Sequence, residues 1–149
     1  MKVMIKEIRT GAKYQERIYD YWITGQLQSG NVIKIFDYNY DLRDYIGKYV
    51  ECLIFTPLAS ISEQIRGKPK KNVIKGYLIK NHKIKEKWQK YYEKEHGIYD
   101  LKKEYIAIKT VDGFFPTNLT ADDLEEIDAS KEIYFKVGRY DLIAWHPIE

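Results

Sequence analysis

The sequence predicts a β-dominated α+β fold, a small antiparallel barrel with two or three short helices. Three observations lead there. β-branched and aromatic residues gather in short alternating runs. Turn residues separate several of those runs at hairpin spacing. The strand–helix–strand alternation of a parallel sheet does not appear. Closure into a barrel is the favoured arrangement for such strands because it removes exposed edges. At 149 residues, 44% hydrophobic and 32% charged, the chain matches the size and composition of one folded domain spanning 1–149.

Residues 1–15, MKVMIKEIRTGAKYQ, alternate charge with aliphatics and lack the apolar core of a signal peptide. From Ile18 to Leu27, Tyr19, Tyr21 and Ile23 alternate as in a strand. Gln28-Ser29-Gly30-Asn31 supplies a turn, and Val32 to Tyr38 returns, so 18–38 is a hairpin. Asp37 to Asp44, DYNYDLRD, breaks the pattern and predicts a loop. Gly47 then introduces Lys48 to Thr56, with Val50, Cys52 and Ile54 on one face and Tyr49, Leu53 and Phe55 on the other. Apolar residues on both faces predict a strand buried on both sides or the middle of a closed barrel.

Residues 57–65 fit two patterns. Leu58, Ile61 and Ile65 suit a short helix capped by Thr56 with Pro57 in its first turn, and alternation suits an irregular edge strand. Val73 to Lys80 predicts a strand with a bend or bulge at Gly76. Asn81 caps a predicted helix from His82 to about Glu95, because Ile84, Trp88, Tyr91 and Tyr92 form one stripe and Gly97 suits its end. Glu104 to Thr110 and Phe114-Phe115 flank Asp112-Gly113, a second hairpin. Thr120 heads a short helix, with Thr120 and Asp123 as a capping box and Leu119 and Leu124 as a hydrophobic staple. Glu132 to Trp145 is β-rich, bent or divided at Gly138-Arg139. The total is about seven strands.

The segment Trp22 to Phe55 resembles the start of an OB-fold barrel. WITGQLQSGNVIKIF gives a strand, tight turn and strand, and DLRDYIGKYVECLIF gives a polar loop and then a third strand opened by Gly-Lys. The resemblance implies a small barrel of the kind that binds single-stranded nucleic acid or oligosaccharide. An OB barrel has five strands, so the later elements are partly additions to it or belong to another small barrel.

Charge is unevenly placed. Arg66 to Lys94 carries eleven basic residues against Glu86 and Glu93, although the whole chain is only +3. The remainder is therefore net acidic, with Asp122, Asp123, Glu125, Glu126 and Asp128 close together. Such a basic stretch attracts a polyanion if its cations converge, and otherwise serves solubility or pairs with the acidic block. Aromatics lie among the lysines, and Tyr numbers 14 against 5 Phe. Cations for phosphates and rings for bases are the two requirements of single-strand binding. The sequence therefore predicts a noncatalytic nucleic-acid-binding module for single-stranded DNA or RNA. Its contacts are Lys68, Lys70, Lys71, Lys75, Tyr77, Lys80, Lys83 and Lys87. Steep salt dependence is expected, reduced when Lys68, Lys70 and Lys71 are replaced together. The alternative partner is a protein or a second copy of the chain, joined through the basic and acidic blocks.

A metal-dependent phosphoryl-transfer enzyme is the third reading. Asp20, Asp37, Asp41 and Asp44 are its candidate ligands, but Leu42 and Lys48 stand where a calcium loop needs glycine and glutamate. His82, His96 and His146 form no ligand pair, and no catalytic residue, metal or cofactor is assigned. Dinucleotide, P-loop and serine-hydrolase signatures are missing. Arg139 and Asp141 beside Gly138 suit either an anion-orienting pair or a salt-bridged bend. The single Cys52 excludes an internal disulfide and reads as a small core hydrophobe. A mean hydropathy of −0.54 and no apolar run near the roughly 18 residues of a membrane span predict a soluble, cytoplasmic protein without membrane contact.

Overall fold

The computed structural model describes residues 1–61, 72–93, 97–125 and 127–148. Its strands in chain order are β1 (Lys2–Thr10), β2 (Lys13–Tyr14), β3 (Arg17–Ile18), β4 (Tyr21–Leu27), β5 (Val32–Asp37) and β6 (Tyr49–Phe55). There follow β7 (Ala59–Ile61), β8 (Val73–Lys83), β9 (Glu104–Thr110), β10 (Gly113–Pro116), β11 (Ile133–Val137) and β12 (Tyr140–Pro147). Several are only two to four residues long, which is why alternation alone undercounts them.

Five strands close into a barrel in the order β1-β4-β5-β12-β6, consistent with an OB-like barrel. All neighbours are antiparallel except β5 and β12, which run parallel with Tyr140 opposite Ile35 and Asp141 opposite Phe36. Alternation points Val3, Ile5, Ile23, Leu27, Ile33 and Ile35 inward, where they are buried. The lumen is narrow: a Cβ on Gly25 would stand 2.5 Å from Val3 Cγ1. The hairpin turn between β4 and β5 forms as expected, with Gly30 at φ 95°.

The chain between β6 and β12 builds a second sheet in the order β10-β9-β8-β11-β7. Leu78, Ile108, Phe115, Phe135 and Val137 of that sheet join the barrel residues in one buried cluster. β6 is covered on both sides, as its composition predicts. Val50, Cys52 and Ile54 face the lumen cluster. Leu53 and Phe55 pack with Ile84, Trp88, Leu101 and Tyr105 in a second cluster. A bulge in β12 between Leu142 and Ala144 turns Ile143 into that second cluster.

The expected helices are corrected. The described residues contain no α-helix, only 3-10 turns at Arg43–Tyr45, Glu86–Lys90 and Ala121–Leu124. β8 continues to Lys83 because His82 and Lys83 pair with Tyr105 and Glu104 of β9, leaving one turn for the predicted helix. Trp88 still buries and Tyr91 and Tyr92 pack beside it, so the apolar stripe docks without helical backbone. Its expected end at Glu95 lies outside the described residues. The Thr120–Asp123 capping box forms, but on a single 3-10 turn, with Leu119 and Leu124 in the core. Residues 59–61 take the edge-strand alternative. The β8 bulge falls between Ile79 and His82 rather than at Gly76, whose missing side chain instead lets Lys109 backbone approach. Gly138-Arg139 divides β11 from β12.

Cys52 is buried in the barrel, and burial pushes its thiol pKa up to about 12. The expected result is that a thiol reagent such as DTNB at pH 8 fails to label the native protein and labels it fully in denaturant. Rapid native labelling would contradict this packing.

Candidate functional site

The outer face of β4 and β5 is set by the same alternation that fills the lumen. Ile33, Ile35 and Asp37 point inward, so Val32, Lys34 and Phe36 point outward, opposite Gln26, Thr24 and Trp22. Trp22 and Phe36 rings stand 5.0 Å apart, and Tyr38 continues the row 6.4 Å beyond Phe36. Trp22 is 38% exposed and Tyr38 57%. Those values leave the rings open to a stacking ligand.

The parallel neighbour β12 brings Asp141 beside Phe36. Arg139 binds Asp141 through two parallel N–H bonds, with Nη2 2.9 Å from Oδ2. Its guanidinium lies 5.1 Å over the Phe36 ring. The carboxylate partner raises the Arg139 pKa, and the fork fixes the guanidinium plane over the ring. Of the two alternatives expected for these residues, the salt-bridged bend forms.

Two grooves flank Arg139. The larger, about 890 Å³, runs between the outer face of the β4–β5 hairpin and the second sheet, with Trp22, Lys34, Lys75, Tyr134 and Arg139 on its walls. Asp112 on its wall accepts from Ser29 N–H and Oγ at 2.8 and 2.6 Å, joining two hairpin turns. The smaller, about 400 Å³, is lined by Phe36, Tyr38, Tyr92, Tyr99 and Arg139, with Asn39 at its wall.

Asp37 fixes the loop below these rings. Its fully buried carboxylate accepts N–H bonds from Asn39, Tyr40 and Asp41 at 3.1, 2.8 and 2.8 Å. Burial raises its pKa above the ordinary value, against the lowering effect of those donors. Asp41 is held by Arg43, which lowers its pKa, and Asp20 accepts from the Ala12 N–H. Of the carboxylates considered as metal ligands, Asp20, Asp37 and Asp41 are thus engaged with backbone or arginine. Among the described residues no three His, Cys, Asp or Glu side chains are grouped to hold a metal ion.

Five residues of the expected lysine site, Lys75, Tyr77, Lys80, Lys83 and Lys87, are among the described residues. Lys68, Lys70 and Lys71 lie outside the described residues. Lys75 and Tyr77 both point outward on β8, directly opposite Tyr134 of β11 and Lys109 of β9. Lys75 also pairs with Glu132 at 3.0 Å and lies 5.7 Å over Tyr134. Lys80 is exposed beyond them at the bulge, and Lys83 lies 3.9 Å from Glu104. Lys87 sits apart, over Trp88 and 3.3 Å from His146 Nε2. Among the described residues, the acidic partners of Lys75 and Lys83 are Glu132 and Glu104. Trp22, Phe36 and Tyr38 lie outside the site the sequence predicts, although the outward half of the β4–β5 alternation is a signal for Trp22 and Phe36.

His82 stacks on Phe114, ring centroids 4.6 Å apart, and its partial burial lowers its pKa below the usual 6.5. The unfolded chain therefore takes up this proton first, and His82 removes stability as pH falls below 6.5 toward its folded value. Urea unfolding at pH 8 and pH 5 should give a smaller loss for His82→Gln than for the native chain. An equal loss would show that this ring is not the group responsible.

Comparison of the chain with models of known protein families, with curated proteins and with solved structures finds no match. No described helix is long and apolar enough to cross a membrane.

Proposed function

We propose that the protein is a noncatalytic binding module for single-stranded nucleic acid, with the outer face of β4 and β5 as its platform. The observation that carries this reading is the row Trp22–Phe36–Tyr38 with the Arg139 guanidinium laid over Phe36 beside a long groove. The exposed Trp22 and Tyr38 rings, on either side of the half-buried Phe36, offer stacking to bases, and Arg139, Lys34 and Lys75 offer phosphate contacts along the larger groove. The barrel order supports it further. Taken by position, the fourth, first, second and third barrel strands adjoin in Greek-key order and the fifth closes the ring, as in an OB barrel. In such barrels the face of the second and third strands is the usual oligonucleotide surface, and here those strands are β4 and β5. The basic stretch enters through Lys75 at the groove wall, and Lys68, Lys70 and Lys71 precede it in the chain.

The test is a titration of the full chain with a single-stranded oligonucleotide of about 16 nucleotides, the upper range for one OB barrel. Binding should weaken with salt with a log–log slope of about −2, for roughly three phosphate contacts. Trp22→Ala should lower affinity about tenfold, the loss of one stacked base. Absence of binding to single-stranded DNA and RNA, or binding indifferent to salt and to Trp22, overturns the proposal. A concentration-independent oligomer that covers Trp22 would instead favour self-association through this face.

A further inference from the structure

We infer that the smaller groove is a base-selective nucleotide pocket, in which one base lies among Phe36, Tyr38, Tyr92 and Tyr99, its phosphate on Arg139 and its edge on Asn39. The ligand class rests on the strand-binding reading above. What is added is a position at which the base is told apart from the others.

The pocket is assembled from two parts of the chain that meet only in the fold. Phe36 and Tyr38 come from the end of β5, whereas Tyr92 and Tyr99 come from the connection between β8 and β9. The second pair is fixed in place. The Tyr99 ring packs on Phe55 with centroids 4.3 Å apart, and its N–H donates to Tyr92 Oη at 2.8 Å. The Tyr92 ring fills the space that a Cβ at Gly97 would need. Walls held this way lose little freedom when a ligand enters, which favours binding. A volume of about 400 Å³ is within the range of small-ligand sites.

Its polar groups are few. Asp141 is occupied by Arg139, so its charge is matched. That fork uses Nε and Nη2 of Arg139 and leaves further guanidinium N–H donors for an anion. Arg139 borders both grooves. A strand passing from one groove to the other would place a phosphate at Arg139, with neighbouring bases on either side. Among the described residues Asn39 brings the only carboxamide on the wall, and that amide has no hydrogen-bond partner there. A carboxamide donates and accepts at once, the pattern that matches adenine N7 and N6. Adenine is therefore the base expected there.

The experiment titrates the full chain with the four deoxynucleoside 5′-monophosphates separately, followed by NMR chemical shifts. Adenylate should bind most tightly. Asn39→Ala should weaken it about tenfold and bring the four nucleotides close to equality. Tyr38→Ala, at an exposed ring, should weaken all four alike. Equal binding of the four by the native chain, a preference untouched by Asn39→Ala, or no binding of any free nucleotide overturns the pocket. Each does so even where oligonucleotides bind through the larger groove. Asn39-dependent adenylate binding by a chain that binds no oligonucleotide removes the strand-binding proposal and leaves the pocket standing.

Discussion

Phe55→Ala is expected to lower the unfolding free energy by about 3–5 kcal/mol, the usual loss for a large aromatic deleted from a packed core. Phe55 is fully buried on the outer face of β6, where the barrel meets the connection between β8 and β9. Tyr99 and Tyr105 rings contact it at 4.3 and 5.1 Å, so truncation removes apolar area and leaves both rings beside a void. Phe55→Leu should cost about 1–2 kcal/mol because it refills part of that space. Urea unfolding with an unchanged m-value measures both. A loss below about 1 kcal/mol for the alanine variant would mean that the void collapses and that this joint is not tightly packed. Because Tyr99 is a wall of the smaller groove, Phe55→Ala should also weaken nucleotide binding more than oligonucleotide binding.

Asp37→Ala is expected to destabilise the chain by about 3 kcal/mol. Three backbone N–H groups in part-buried hydrogen bonds lose the fully buried carboxylate that accepts them, and a buried donor left unsatisfied costs roughly 1–3 kcal/mol before the loop relaxes. Asp37→Asn keeps one oxygen, enough for Asn39 and Tyr40, and loses the acceptor of the Asp41 N–H, so its cost should be near 1 kcal/mol. The ordering native, Asn, Ala in urea midpoints is the signature of this turn. An alanine variant as stable as the asparagine one would show that water replaces the carboxylate. The same loop carries Tyr38 and Asn39, so both stability and the expected base preference depend on Asp37.

Much of the fold is legible locally. The β4–β5 hairpin follows from alternation and from Gly30, and the β9–β10 hairpin from Asp112-Gly113. Apolar residues on both faces of β6 announced that it would be covered twice. The stripe Ile84, Trp88, Tyr91 and Tyr92 was misread because helical spacing reports burial on one side and not the backbone that delivers it. Pairing with β9 extends β8 through His82 and Lys83, and that competing ladder lies more than twenty residues away in the chain.

The candidate site divides the same way. By itself the sequence determined which residues of each strand share a face, the presence of cations and rings, and the break at Gly138-Arg139, because these are properties of neighbours in the chain. Only the tertiary structure decided that Arg139 lies over Phe36, that Tyr92 and Tyr99 complete its pocket, and that Lys87 stands apart from Lys75. The reason is the parallel contact of β12 with β5: it lays the strand that follows the inserted sheet against one barrel wall, and no local rule places strands separated by about a hundred residues side by side.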